Sequence, residues 1–183
     1  MIQSRLQRQL SDPFRKKINR APSPLIAIVM PWLTVMLGSL SPTWPVIASA
    51  PLLPPLGFLV LLSWRQLRPG LLPVWAGLPL GLFDDLYSGQ PLGSAVLLWS
   101  IALIVLEVIE LRFPWRNFLL DWLVAAGLIL AYLPTAMGIA METTPSPIVL
   151  APQLLISIFA YPLVGRLVAL FDRLRLVRFR KLG

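Results

Sequence analysis

The sequence contains no cysteine and no histidine among its 183 residues, and only 13% of the residues are charged. Without cysteine there is no disulfide, no thiolate nucleophile and no thiolate metal site. Without histidine the chain lacks the commonest general base and the commonest metal ligand. Any chemistry would have to use carboxylates, hydroxyls and arginine, so we expect no enzymatic activity, no metal site and no cofactor.

Hydrophobic residues are correspondingly frequent in the sequence. They make up 57% of the chain, and the mean hydropathy is +0.76. Soluble domains carry roughly a quarter charged residues, so the composition lies far outside their range. The length allows five or six membrane spans of roughly 20 apolar residues each. We therefore predict an all-α, polytopic membrane protein with about six transmembrane helices.

Proline, glycine and charged residues divide the apolar sequence into six segments. The predicted helices cover about 24–40, 46–64, 69–87, 92–111, 117–138 and 148–171. The second segment contains Pro51, Pro54 and Pro55. Proline removes a backbone donor and clashes with the preceding turn, so we expect a kink or a partly re-entrant first half there.

The positive charges follow this division. All 16 lysines and arginines fall on one side of the membrane if the N-terminus is inside, whereas the opposite loops carry only acidic charges. This asymmetry predicts six spans with both termini in the cytoplasm. The chain then consists of a basic arm (1–23), a transmembrane domain (24–171) and a basic tail (172–183). Because Pro51 would directly follow the Ala48–Ala50 cleavage signal, we expect the N-terminus to be uncleaved.

The only adjacent acidic pair, Asp84-Asp85, lies near the end of the third predicted helix, before a turn marked by Ser88, Gly89 and Pro91. Neighbouring helical residues point about 100° apart, so we expect at most one carboxylate to face into the bundle. Two interpretations stay open. Both carboxylates are hydrated and simply end the helix, or one binds a partner's donor, a cation or the exposed amides that begin the fourth helix.

A pair of glycines and a pair of glutamates in the central predicted helices are expected to have structural roles. Gly77 and Gly81 have the small-residue spacing that lets two helices pack closely. Glu107 and Glu110 lie near the end of the fourth helix, and Asp121 lies one turn into the fifth. Arg112 and Arg116 lie between them, so we expect local ion pairs across the loop. Glu107 lies deepest and is the residue from which we expect an interhelical hydrogen bond. Asp84 and Glu107 are the secondary polar candidates.

The central stretch resembles the MreD family of bacterial rod shape-determining inner-membrane proteins. The family's motif runs Gly-Leu-x-x-Asp, a short Ser/Gly turn, then Pro-Leu-Gly. The matching residues in this chain are Gly81, Leu82, Asp85, Ser88, Gly89, Pro91, Leu92 and Gly93. By this match Asp85 is the family's aspartate and Asp84 is an additional one, which leaves open which carboxylate matters.

The resemblance implies a non-enzymatic scaffold of the cell-elongation machinery in the bacterial inner (plasma) membrane. The implied partners are the bitopic protein MreC, the actin-like filament MreB, and the RodA glycosyltransferase with its class B penicillin-binding protein. Membrane lipids are expected as partners and nucleic acid is not. The family's fold is thought to be similar to the substrate-binding components of energy-coupling-factor vitamin transporters. The alternative function is therefore a small-solute-binding subunit of a membrane transporter.

Overall fold

A computed structural model describes residues 24–43, 53–113, 117–141 and 147–175. Within these residues the chain is helical and has no strand, which confirms the predicted all-α class. The six α-helices of this part are α1 (Pro24–Ser39), α2 (Leu56–Leu67), α3 (Gly77–Ser88), α4 (Ser94–Arg112), α5 (Phe118–Met141) and α6 (Pro147–Arg175). Short 3₁₀ turns lie at Ser41–Thr43 and Val74–Ala76. The predicted basic arm and most of the basic tail lie outside the described residues.

The helices fall into a long and a short group. Among the described residues, Ser94–Arg112, Phe118–Ala140 and Ile148–Arg175 are long and apolar enough to cross a membrane. The first helix has 16 residues, and α2 and α3 have 12 each. At 1.5 Å per residue these short helices reach about 18–24 Å, less than the roughly 30 Å of a hydrocarbon core. The described residues thus contain six helices, and three of these, as far as they are described, are too short to cross the membrane alone.

The second and third predicted helices are shorter than the sequence suggested. The helix α2 begins only at Leu56, directly after Pro54-Pro55, and residues 44–52 lie outside the described part. The prediction of a helix over 69–87 is wrong in its first half. Gly70 has a left-handed φ of 84°, and Pro73 is extended with φ −67° and ψ 161°, so the α-helix begins at Gly77. Neither conformation can continue an α-helix.

The short helix α2 lies at the centre of the bundle. Eight of its twelve residues are buried, from Gly57 to Arg65, and it packs against α1, α4 and α6. Its first seven residues, from Leu56 to Leu62, are all apolar, which is typical of a helix in a protein interior. Its aromatic residues organise the core: the Phe58 ring stacks on Tyr132 of α5 at 4.2 Å between centroids and lies 6.1 Å from the ring of Trp99.

Contacts between helix ends give the helix directions. The end of α1 crosses the start of α2, where a Cβ on Gly38 would lie 2.9 Å from the Gly57 nitrogen, so these two helices are antiparallel. Ion pairs at the C-terminal ends of α2, α4 and α6 make those three helices parallel. We call this end of the bundle the basic end, because every described arginine lies at or toward it. The opposite end, with Asp84 and Asp85, is the acidic end.

A buried arginine joins α2 to α4 at the basic end. Arg65, only 4% exposed, lies 2.9 Å from a carboxylate oxygen of Glu110 and 3.7 Å from one of Glu107. The sequence placed Arg65 in a loop and expected the two glutamates to pair with Arg112 and Arg116. In the described part both glutamates lie beside Arg65, because α2 extends through this residue and lies directly beside α4. The other expected partner, Arg116, lies outside the described residues. Glu110 makes the tight contact, whereas Glu107 is half-exposed.

A second cluster at the basic end joins three helices. Asp172 of α6 accepts hydrogen bonds from Arg68 at 2.9 Å and from Arg175 at 2.7 Å. Arg175 also donates to the carbonyl of Ala27 at 2.7 Å and lies over the ring of Trp64. This cluster connects the end of α6 to α1 and α2. The helix continues past the predicted limit at 171, and its last turn packs against the transmembrane helices.

We expect Glu110→Ala to destabilise the protein much more than Glu107→Ala. Removing Glu110 leaves the buried Arg65 without its close partner, which costs about 3 kcal/mol, whereas the longer, half-exposed Glu107 contact contributes about 1 kcal/mol or less. The measurement is the apparent melting temperature of the two purified variants in the same detergent. Equal melting temperatures would contradict the assignment of Glu110 as the main partner.

Candidate functional site

The Asp85 carboxylate caps the first turn of the neighbouring helix α4. Its Oδ1 accepts hydrogen bonds from the Ala95 amide at 2.8 Å and the Ser94 hydroxyl at 3.0 Å. Its Oδ2 accepts from the Gly93 amide at 2.8 Å and, more weakly, from the Val96 amide at 3.4 Å. The residue is only 3% exposed. Among the described residues, both oxygens are thus occupied by donors of α4.

The local sequence explains why this cap comes from another helix. The N-cap residue of α4 is Gly93, which has a left-handed φ of 98° and no side chain that could accept a hydrogen bond. The first amides of a helix have no intrahelical partner and carry the positive end of the helix dipole. The negatively charged carboxylate of Asp85 accepts hydrogen bonds from these amides and complements the positive end of the dipole. Of the interpretations left open by the sequence, the structure places Asp85 on the amides that begin α4.

Two glycines shape the turn between α3 and α4. Gly89 follows the last residue of α3 with φ 70°, and Gly93 precedes α4 with φ 98°. Both values lie in the left-handed region, which a side chain disfavours. The carbonyl of Pro91 accepts a hydrogen bond from the Ser94 amide at 3.1 Å and closes the turn. Leu92 extends from this turn and is 72% exposed.

Close backbone contact between α3 and α4 brings Asp85 within reach of its donors. A Cβ on Gly81 would lie 2.6 Å from the Val96 Cα, and one on Gly77 would lie 2.8 Å from the Ser100 hydroxyl oxygen. Gly77, Gly81 and Asp85 are spaced four residues apart and therefore share one face of α3. The glycines let the helices touch, and the carboxylate one turn further on then reaches the amides of α4.

Asp84 faces a different neighbour. It is 7% exposed and lies beside Ser39 of α1. The expectation that at most one of the two carboxylates faces into the bundle is therefore wrong. Two residues about 100° apart can both be buried when a helix packs between two others, and α3 packs between α1 and α4.

The structure places the predicted site residues in different surroundings. Asp85, Gly89, Pro91 and Gly93 come together at the hairpin turn; Gly77 and Gly81 lie against α4. Leu82 and Leu92 are exposed, and Ser88 ends α3, where its hydroxyl oxygen is buried. Glu107 belongs to the basic end, away from this site. Sequence reasoning missed Ser94, although Gly-Ser before an apolar run is a signal for a helix start, and it missed Ser39 and Asp172.

Comparison with known proteins gives one result. A family model described as rod shape-determining protein MreD matches residues 23–174. The match includes the α3–α4 hairpin and nearly all of the six helices. A search of the curated proteins found no match, and neither did a search of the solved structures. The expected likeness to substrate-binding components of vitamin transporters therefore stays a prediction.

We expect Gly81→Ala to destabilise the protein and Gly127→Ala to leave its stability unchanged or slightly raised. A Cβ at position 81 would collide with the backbone of α4, which costs about 1–3 kcal/mol, whereas one at position 127 meets no atom within 4 Å in the described structure. In a helix interior, alanine is otherwise favoured over glycine by up to about 1 kcal/mol. Apparent melting temperatures of both variants provide the measurement, and an equal response would contradict the close approach.

Proposed function

Because the chain belongs to the MreD family of rod shape-determining proteins, we propose that it is a non-enzymatic membrane scaffold of the cell-elongation machinery. Its family assigns it a role in rod shape determination. The scaffold role is our proposal, and the observation that carries it is the use of Asp85. This carboxylate is the acidic residue of the family motif, and it is engaged in holding two helices together rather than poised for chemistry.

The hydrogen bonds of Asp85 support a structural role for the motif. A carboxylate that acts as a nucleophile or a general base needs a free oxygen directed at a substrate. The two oxygens of Asp85 instead accept three backbone amides and one hydroxyl. Gly81, Gly89 and Gly93 serve the same hairpin through close contact and left-handed turns. The motif thus describes a rigid α3–α4 hairpin.

This hairpin carries an exposed apolar face. Leu78, Leu82 and Leu86 repeat every four residues along α3 and are 57%, 49% and 64% exposed. Side chains at this spacing form one stripe on a helix. We propose that the stripe, together with Leu92 in the turn, contacts the single transmembrane helix of an MreC-type protein. Rigid support from α4 favours binding, since little conformational freedom of the hairpin is lost in the complex.

The charge distribution suggests where the other partners act. Every described arginine lies at or toward the basic end, and the charge pattern of the sequence predicts the remaining lysines and arginines on the same side. The positive-inside rule favours a cytoplasmic position for this end in the inner membrane. We propose that it faces the MreB-type filament, while α4, α5 and α6 offer membrane surfaces to a RodA-type glycosyltransferase and its class B penicillin-binding protein.

The solute-binding alternative receives less support. Phe58, Trp99 and Leu103 are at most 1% exposed and fill the space between α2, α4 and α5. A solute-binding subunit needs a cleft large enough to bury most of its ligand. The tight aromatic packing of this region favours the scaffold interpretation.

We expect a photo-crosslinking amino acid at position 82 to capture an MreC-type protein in living cells. The residue lies in the middle of the proposed contact stripe. Position 159 on α6 is a matched control, because Phe159 is also apolar and 70% exposed but belongs to a different helix. The measurement is the mass-spectrometric identity of each adduct. Capture of the MreC-type protein from position 159 and not from position 82 would contradict the proposed surface.

We expect Asp85→Asn to impair cell shape while the protein remains in the membrane. Asparagine removes the charge and turns an N–H group toward the amides of α4, which loosens the hairpin without removing an apolar span. Cells that depend on this variant should widen and become round under phase contrast. Glu107→Gln, a half-exposed carboxylate at the basic end, is the control and should support normal rods. Normal rods with Asp85→Asn at equal protein levels would refute the role given to the motif.

A further inference from the structure

The helix α6 is longer than the membrane core and carries its charged residues at one end. Its apolar span, Ile148–Arg175, has 28 residues. At 1.5 Å per residue this is about 42 Å, compared with roughly 30 Å of hydrocarbon. Residues 148–165 contain no charged side chain and account for about 27 Å of the length. When these residues fill the hydrocarbon core, the last third of α6, which begins at Arg166, lies at the depth of the lipid headgroups.

Two exposed arginines share one face of this last third. Arg166 and Arg173 are both exposed, and their spacing of seven residues corresponds to almost two full turns. Their directions from the helix axis differ by only about 20°, and they lie about 10.5 Å apart along the axis. Two long, flexible side chains at this separation can reach the same lipid headgroup.

Apolar side chains continue this face toward the membrane core. Leu155, Phe159 and Leu163 precede Arg166 at helical spacing and are 56%, 70% and 61% exposed. Leu170, which lies between the two arginines, is 53% exposed. Leucines interleaved with arginines are typical of a helix surface at the membrane interface rather than in bulk water. The order along the face, apolar and then basic, matches the order of acyl chains and phosphate in a phospholipid.

The charges of Arg166 and Arg173 are not balanced by a described carboxylate. Among the described residues, neither side chain forms an ion pair or a hydrogen bond. Asp172 lies next to Arg173 in the sequence, but it is buried and accepts hydrogen bonds from Arg68 and Arg175. Six described arginines lie at or toward the basic end, so two positive charges remain in excess over the four carboxylates there. These carboxylates are Glu107, Glu110, Asp121 and Asp172.

We propose that Arg166 and Arg173 bind the phosphate of an anionic phospholipid in the leaflet at the basic end. The acyl chains of this lipid lie along Leu155, Phe159 and Leu163. Arginine binds phosphate oxygens through charge-assisted hydrogen bonds from paired N–H groups. Phosphatidylcholine also carries a phosphate, but its quaternary ammonium group is repelled by the two guanidinium groups. The site therefore selects a lipid with a net negative charge, and it does not depend on the scaffold role.

The test is native mass spectrometry of the full-length protein, released from detergent micelles that contain phosphatidylglycerol or phosphatidylcholine of the same chain length. The measurement is the dissociation constant of the first bound lipid. We expect the wild type to bind phosphatidylglycerol about tenfold more tightly or better. A basic residue near an anionic membrane surface contributes about 1 kcal/mol, which is about fivefold in the dissociation constant. Arg166→Gln and Arg173→Gln should each weaken phosphatidylglycerol binding about fivefold and leave phosphatidylcholine binding unchanged.

Two kinds of control variant make the result specific. Arg112→Gln removes the same charge from an exposed arginine at the basic end, but on α4, and its affinity should stay within about twofold of the wild type. Arg166→Lys and Arg173→Lys keep the positive charge and should retain the preference for phosphatidylglycerol. Glutamine and lysine are both good helix formers, and both positions are exposed, so these variants leave the core intact.

Three outcomes would overturn the proposal. Equal affinities of the wild type for the two lipids would exclude selection by charge. An equal loss of affinity in Arg112→Gln would assign the preference to the net charge of the basic end rather than to this face of α6. Displacement of phosphatidylglycerol by a polyglutamate peptide, with peptide binding lost in Arg166→Gln and Arg173→Gln, would assign the face to an acidic protein segment.

Discussion

The α3–α4 hairpin depends on one carboxylate placed against the start of another helix. An unsatisfied amide in a membrane costs several kcal/mol, because no water is present to replace the missing partner. Gly93 gives α4 a left-handed start and no local cap, so Asp85 must supply the acceptor. That requirement fixes the register of α3 on α4, and it explains why Gly81 must lie directly against the backbone of Val96.

The central position of α2 follows from the way its two ends are held. At its start, Gly57 lets α1 cross at backbone distance and leaves room for Ser39. At its other end, Arg65 and Arg68 form ion pairs with α4 and α6. An apolar helix of 12 residues is too short to be held by membrane insertion alone. Its placement instead comes from packing against α1 and from ion pairs with α4 and α6.

Local patterns in the sequence predicted the helices, the asymmetry of charge and the close contact at Gly77 and Gly81. They did not predict the length of α3, because Gly70 and Pro73 act through backbone angles that hydropathy does not record. Long-range pairs were also missed. Arg68 and Asp172 are 104 positions apart, and Arg65 was assigned to a loop. Because Glu110 and Arg112 are close in the sequence, a local ion pair was expected. Tertiary packing instead places Arg65 of α2 beside Glu110.

The two ends of α4 carry opposite charge, and side chains from two different helices neutralise them. At its N-terminus the dipole is positive, and Asp85 from α3 complements it. At its C-terminus the dipole is negative, and Glu107 and Glu110 add charge of the same sign. Arg65 from α2 offsets that charge. The helix α4 is long enough to cross the membrane, and a shorter helix holds it at each end: α3 at its N-terminus and α2 at its C-terminus. The positions of these two short helices depend on α4 as well.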